Sequence, residues 1–296
     1  MSNSEIRHTL KRSLPSWVIE PARGLKTYLR RLASWISIIR NVRGRTAADS
    51  ATLRRSMVRA PVDMFGEFDR WREPTLDRDA EVVSRGLGVF KVRRRSDDLA
   101  HVNPDNHHQM LVTISSLVKP GNTAVDAGAN IGVITTFMSK LVGEQGCVIA
   151  IEMMPDTASM LRSTIALNDL RNVHVVERAL SDRADETVVA TVVPGLHGQA
   201  SIVSARTGRQ TTEAAVQTTT LDAVLADIEE IGIIKLDLEG AELAALKGAK
   251  DALKRVRAIV FESWAPNGGE VRDFLRSAGY QVQQIDGRNF LAVRED

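Results

Sequence analysis

Residues 123–132 read TAVDAGANIG, and the fold follows from how that stretch is punctuated. Thr123–Ala127 is short, apolar and built of small or β-branched residues behind the breaker pair Pro120 and Gly121, the pattern of a buried strand in a parallel sheet. Asp126, Gly128 and Gly132 then form a D-x-G-x-x-x-G turn, where glycine lets the backbone bend sharply and a ligand approach with no Cβ in the way. A helix is predicted over 131–142, its first amides facing the crevice at the carboxyl end of the strand. The next apolar stretch, 147–153, carries Glu152, a carboxylate placed to accept both hydroxyls of a ribose. The spacing predicts a nucleoside site.

Downstream, strand and helix patterns alternate: a helix over 156–168 after Pro155, a strand over 173–180, a helix over 221–230, a strand over 232–238, a helix over 241–254, a strand over 258–264 and a helix near 270–278. Segments 187–193 and 215–220 read as strands joined by a polar loop holding Gly195, Gly198 and Gly208, a β insertion over the sheet edge or the site. Segments 280–286 and 290–295, joined at Gly287, read as a hairpin. Repeated βαβ units imply right-handed crossovers and a parallel sheet covered on both faces. The expected fold class is α/β: a Rossmann-like, doubly wound, seven-stranded, mostly parallel sheet with a terminal antiparallel hairpin. It occupies residues 99–296, behind a basic helical extension (1–60) and a connector (61–98) in which 86–92 reads as a short edge strand.

The 296 residues suffice for one full core, and 43% hydrophobic with 26% charged residues is ordinary for a soluble globular chain. The single cysteine, Cys147, lies in an apolar run and leaves no internal disulfide framework, which suits a reducing, cytoplasmic setting. The net charge of +2 is unevenly spread: residues 1–60 hold 13 Lys/Arg against Glu5, Glu20 and Asp49, or +10, which leaves −8 for the remainder. Apolar residues at 25, 28, 29, 32, 35, 36 and 39 form a helical stripe, with Lys26, Arg30, Arg31 and Arg40 largely off it. Two readings follow for residues 16–45: peripheral contact with the inner face of an anionic membrane, with Trp17 and Trp35 at the interface, or docking on the main domain or a second copy. No apolar run reaches the roughly 18 residues of a membrane span. Nucleic-acid binding is not expected, because no recognised binding module stands behind the dispersed arginines.

The stretch KLDLEGAE (235–242) departs from a central parallel strand, which should be apolar on both faces. Lys235, Asp237 and Glu239 alternate along one face towards the ligand-binding edge, and burying them without partners would cost several kcal/mol. Glu262, at the same edge of the next strand, brings a further carboxylate within expected reach. Such a cluster can orient an acceptor hydroxyl and take its proton, or hold a divalent cation; the reading favours a general base without an obligatory metal. Asp182 follows the third strand and can flank an adenine. His107 and His108 lie in NPDNHHQM, a stretch that can lid the site, and His197 lies in the insertion loop; each is read either as an ordinary surface or packed residue or as a proton acceptor.

Taken together, VDAGANIG (125–132), IAIE (149–152) with Pro155, ALSD (179–182), TLDAVL (220–225), KLDLEGAELAALKGA (235–249) and VFESW (260–264) resemble the FkbM family of class I S-adenosylmethionine-dependent methyltransferases. The resemblance spans roughly 120–265. It implies S-adenosyl-L-methionine as cofactor, held by Asp126, Gly128, Asn130, Gly132, Glu152 and Asp182, with Asn130 at the methionine end. It further implies O-methylation of a hydroxyl on a small molecule or glycan acceptor (a sugar, polyketide or similar compound); the strand reading above supplies the expected catalytic set, Lys235, Asp237, Glu239 and Glu262. Glu-Met-Met-Pro stands where the family has Glu-Pro. The alternatives are an NAD-type oxidoreductase, which the absent G-x-G-x-x-G disfavours, and a non-catalytic cofactor-binding scaffold at a membrane.

Overall fold

The computed structural model describes residues 16–66, 74–203, 211–263 and 268–295. Helix α1 (Ser16–Asn41) leads into strand β1 (Val42–Gly44) and helix α2 (Ala47–Gly66), and β2 (Ala80–Ser84) pairs antiparallel with both β1 and β3 (Gly88–Val92). Short helix α3 (Asp98–His101) and helix α4 (His108–Leu117) follow. The expected connector is therefore structured in its described part. Alternation buries Val82, Phe90 and Val92 completely in the same core as the main sheet, and Asn168 clamps β3 by accepting from Val89 N at 2.8 Å and donating to Val89 O at 2.7 Å.

The main sheet comprises β4 (Thr123–Ala127), β5 (Cys147–Ile151), β6 (Val173–Val176), β10 (Ile231–Leu236), β11 (Val256–Glu262), β12 (Tyr280–Gln284) and β13 (Asn289–Arg294). Helices α5 (Val133–Val142) and α6 (Pro155–Leu167) connect its first strands, while β7 (Ala179–Leu180), β8 (Thr187–Val192), β9 (Thr212–Thr219) and α7 (Leu221–Val224) intervene before β10. Helices α8 (Glu242–Lys247) and α9 (Gly268–Ser277) complete the fold. The order is β12-β13-β11-β10-β4-β5-β6, with β13 antiparallel to both of its neighbours. The chain moves outward from β4 to β6, then returns to the other side of β4 as β10, so the crevice between β4 and β10 is a topological switch point where ligands bind.

Period-two alternation separates two cores. Ala124, Ile233 and Val260 pack with the N-terminal elements and α5, whereas Val125, Ile234 and Ile259 pack under α7, α8 and α9. Three predicted elements differ in extent. The strand over 173–180 divides because β7 leaves the main sheet to pair with β9 of the insertion. The helix over 221–230 stops at Val224, where Arg255 Nη1 takes the carbonyls of Leu225 and Ile228. The helix over 241–254 breaks after Lys247, and Asp222 Oδ1 accepts the amides of Asp251 and Ala252 beyond the break.

From residue 29 onward, the apolar residues of α1 divide between the body and solvent. Trp35 and Ile38 are buried against the body, while Leu29, Leu32, Ile36 and Ile39 are 42–56% exposed. Among the described residues no helix is long and apolar enough to cross a membrane.

Candidate active site

The floor of the cleft is the turn after β4. Gly128 N and Ala129 N both donate to Ile151 O at 2.9 Å, tying the turn to the end of β5. Gly128 has φ +80°, and a Cβ there would lie 1.9 Å from the Asp237 carbonyl oxygen; its absence lets the ends of β4 and β10 meet. Asn130, at φ 50°, takes the left-handed conformation that asparagine tolerates best among residues with a Cβ. Its amide donates to Glu152 Oε2 at 2.9 Å, and Met154 N donates to Oε1 at 2.9 Å. Glu-Met-Met-Pro thus keeps the carboxylate seated, and Pro155 opens α6 at a position that favours proline. Burial pushes the Glu152 carboxyl above its usual range against the lowering by these two amides.

Beside the floor, Lys235 Nζ donates to Gly128 O at 2.8 Å and lies 3.3 Å from Asp126 Oδ1 and 3.5 Å from Asp237 Oδ2. Burial pulls its ammonium down, but Asp126 and Asp237 outweigh this and hold it above the ordinary lysine value. Asp126, fully buried, also accepts from Thr135 Oγ1 at 2.6 Å. The turn after β10 is set by Glu242, which accepts Leu238 N at 2.8 Å and Gly240 N at 3.1 Å. Glu239, at φ 50°, lines the cleft, and Ser201 Oγ donates to its carbonyl at 3.0 Å.

The roof comes from two distant segments. Asp97 accepts His197 N at 3.1 Å and Gly198 N at 3.2 Å from the insertion loop, and its own amide donates to Gly195 O at 2.9 Å. His101 Nε2 lies 3.5 Å from Asp97 Oδ2. His107 stacks on His101 with centroids 6.2 Å apart and contacts His101 O through Nε2 at 2.9 Å. The cleft between floor and roof has about 880 Å³ of empty space, its open mouth included.

The Methyltransferase FkbM domain family matches residues 126–282, over half of the chain. The chain belongs to the FkbM methyltransferase family. Among relatives, methyltransferase sdnD of Sordaria araneosa is 29% identical over 191 residues, 53% of this chain and 73% of that protein. Ribosomal RNA large subunit methyltransferase E of Chromohalobacter salexigens is 31% identical over 90 residues, 29% of this chain and 42% of that protein. The solved precorrin-6y C5,15-methyltransferase of Geobacter metallireducens overlays with a TM-score of 0.41 at 15% identity, covering 62% of this chain and 87% of that one.

S-adenosylmethionine is the cofactor of this FkbM methyltransferase, and the cleft fits it. Asn130 Oδ1 is buried at the cleft with no hydrogen-bond partner among the described residues, an acceptor awaiting a donor. Glu152 would hold the ribose hydroxyls and Asn130 the methionine end, while Arg178, Ala179 and Leu180 line the wall past β6. Bound there, the cofactor supplies an electrophilic methyl group on a sulfonium.

Of the residues singled out in this methyltransferase from sequence, Gly128, Asn130, Glu152, Lys235, Asp237 and Glu239 share the cleft. The others are placed elsewhere. Asp126 lies beneath the floor as the counter-ion of Lys235. Gly132 opens α5 at φ 90°, where a Cβ would meet Leu161 Cδ1 at 2.7 Å, so it serves helix packing. Asp182 sits past the wall, accepting from Ser181 Oγ. Glu262 turns to Arg288 of the terminal hairpin, 3.6 Å away, because β13 pairs with β11 there. Of the candidate histidines, His107 and His197 line the cleft, and His108 begins α4 instead. Sequence reading missed Asp97, His101 and Glu242; the D-x-x-x-H spacing of Asp97 and His101 was the one local signal for the first two. Among the described residues, no three His, Cys, Asp or Glu side chains cluster as metal ligands would.

Proposed function

We propose that the protein methylates a hydroxyl oxygen on a small molecule, a sugar, glycan precursor or comparable natural product. The observation that carries this reading is one cleft with a seated ribose acceptor, Glu152, on one side and an acidic rim, Asp237 and Glu239 beside Lys235, on the other. The acidic rim suits an alcohol approaching a sulfonium, whose positive charge it complements. It does not suit an RNA phosphate backbone, which calls for clustered Lys and Arg; residues 61–296 carry a net −8. Lys235 Nζ, 3.5 Å from Asp237 Oδ2, fixes one side of the rim, so the rim orients the acceptor while the walls exclude water, and alignment supplies most of the rate gain.

Calorimetry should give saturable binding of S-adenosylmethionine and none of NAD. Metabolite profiling with and without the gene should then find a compound whose mass changes by one methyl-for-hydrogen exchange, with the new methyl on oxygen. Label from S-adenosylmethionine appearing in RNA instead would overturn the small-molecule assignment.

A second element of the proposal concerns α1. Its outward residues Leu29, Leu32, Ile36 and Ile39 are exposed, and residues 21–45 hold seven Lys/Arg and no acid. Like charges disfavour pairing that face with a second copy, whereas an anionic lipid surface complements it. The full-length protein should sediment with phosphatidylglycerol vesicles at low salt and not with phosphatidylcholine vesicles, and Ile36→Asp should abolish sedimentation. A dimer that the same substitution dissociates, with no vesicle binding, would assign the face to self-association.

A further inference from the structure

We infer that His101, oriented by Asp97, takes the proton from the acceptor hydroxyl during methyl transfer. The inference rests on the oxygen-acceptor reading above and adds the group that completes the step. As the acceptor oxygen bonds to the methyl carbon, the carbon–sulfur bond breaks and its electron pair stays on sulfur, leaving a neutral thioether. The O–H proton goes to His101, and the resulting imidazolium sits against the Asp97 carboxylate.

The geometry favours His101 over the carboxylates of the rim. Its side chain is one-third exposed, to the cleft. Nε2 faces Asp97 Oδ2 at 3.5 Å, and Nδ1 has no hydrogen-bond partner among the described residues, which leaves one ring nitrogen for an acceptor. Asp237, whose Oδ2 lies 3.5 Å from the buried Lys235 ammonium, belongs to the rim that orients the acceptor. An imidazole is also the better proton acceptor near neutrality. A carboxylate that fixes a histidine on one side while the other nitrogen meets the reacting hydroxyl is the arrangement general-base catalysis needs.

Asp97 is anchored for this role by the two roof amides, those of His197 and Gly198. Gly198 closes so tightly that a Cβ there would lie 2.4 Å from His101 Nε2 and 2.9 Å from Asn130 Nδ2. Seating the insertion loop and orienting the imidazole are therefore one event.

The groups facing His101 fix the sign of its pH response. Burial lowers its pKa, but the hydrogen bond and charge of Asp97, with Asp98 and Asp237 behind it, leave the net value above 6.5. Asp98 is itself held by Arg93 at 2.8 Å. His107 is driven down to about 4 by burial and by the His101 charge, with Lys235 contributing, and burial also lowers His197, so His101 is the member of the group that titrates upward. It is basic only above its raised pKa, so methyl transfer should increase with pH through a midpoint above 6.5.

Two measurements test the inference on the full-length protein. In NMR titration of protein labelled with nitrogen-15 histidine, assigned by His101→Gln, the His101 ring should titrate above 6.5, and Asp97→Asn should lower that midpoint by about one pH unit or more. In assays with S-adenosylmethionine labelled on its methyl, using a protein-free small-molecule extract of the source organism, the acid limb should follow the same midpoint. His101→Gln should lose about 100-fold or more in rate while calorimetry finds cofactor affinity retained. A His101→Gln variant with wild-type rate and an unshifted acid limb would overturn the assignment, as would a His101 midpoint that Asp97→Asn does not move. Label recovered on nitrogen or sulfur, or no transfer by the wild type, would sink the oxygen-acceptor reading separately, with the NMR titration still deciding the pairing.

Discussion

Lys235 is one charge asked to satisfy three oxygens, and that makes it the residue on which the site balances. Replacing it with methionine strands Asp126, which is fully buried, and breaking one partner of a buried pair costs about 3–5 kcal/mol. Urea unfolding should register that loss for Lys235→Met, and adding Asp126→Asn should recover part of it, because the amide can still accept from Thr135. Lys235 is held above its ordinary 10.5, so its contribution is fully present below that pH and fades as pH rises through the folded value. The wild type should therefore lose stability on the alkaline side where the double variant does not. At this scale the sequence was partly legible. Gly128, Asn130 and Glu152 announced themselves through the turn and the carboxylate at the end of the neighbouring strand, and Lys235 and Asp237 through charges in an apolar strand. Asp126 shared that signature but points to the core, since a short strand's alternation tells which face a residue takes, not whether the ligand reaches it.

Among elements, the β2–β3 hairpin shows how a segment with a polar, charge-dense sequence becomes part of the core. Val82, Phe90 and Val92 turn inward and are fully buried, while Glu81, opposite Lys91 in the register, accepts from Arg45 Nη1 at 2.7 Å. What holds it to the catalytic sheet is Asn168, whose amide group bonds both polar atoms of Val89. Asn168→Ala leaves a backbone donor and acceptor unmet, a loss of about 1–3 kcal/mol. Hydrogen exchange should show faster opening at Val89 and its neighbours, with the amides of β4 and β5 unchanged. The hairpin was reduced to a single edge strand in the sequence because its partners, β1 and α6, are remote in the chain. The split of 173–180 was hidden for the same reason: β7 is drawn away by β9, some forty residues on.

Across the whole molecule, the N-terminal third is both appendage and scaffold. Trp35 and Ile38 are docked, and β1 pairs with β2. Removing residues 1–60 strips β1 and most of α2 and should lower the melting temperature by several degrees, since losing about 1 kcal/mol moves it by roughly 2–4 °C in a chain of this size. The doubly wound, mostly parallel sheet was legible because each βαβ unit carries its own periodicity; the strand order was not read, and the pairing of β1 with β2 was hidden because charge marks solvent and says little about strand pairing.

Asp97, His101 and His107 all precede residue 126, where the family match begins. The imidazole inferred to take the acceptor's proton is thus written upstream of the matched stretch, which carries the cleft floor and the acidic rim. A chimera joining residues 126–282 to another relative's upstream region would keep the cleft floor and acidic rim of one parent and take its roof histidines at the 101 and 107 positions from the other. Evolution can retarget such a catalyst by exchanging its front end, provided the insertion loop that Asp97 latches travels with it.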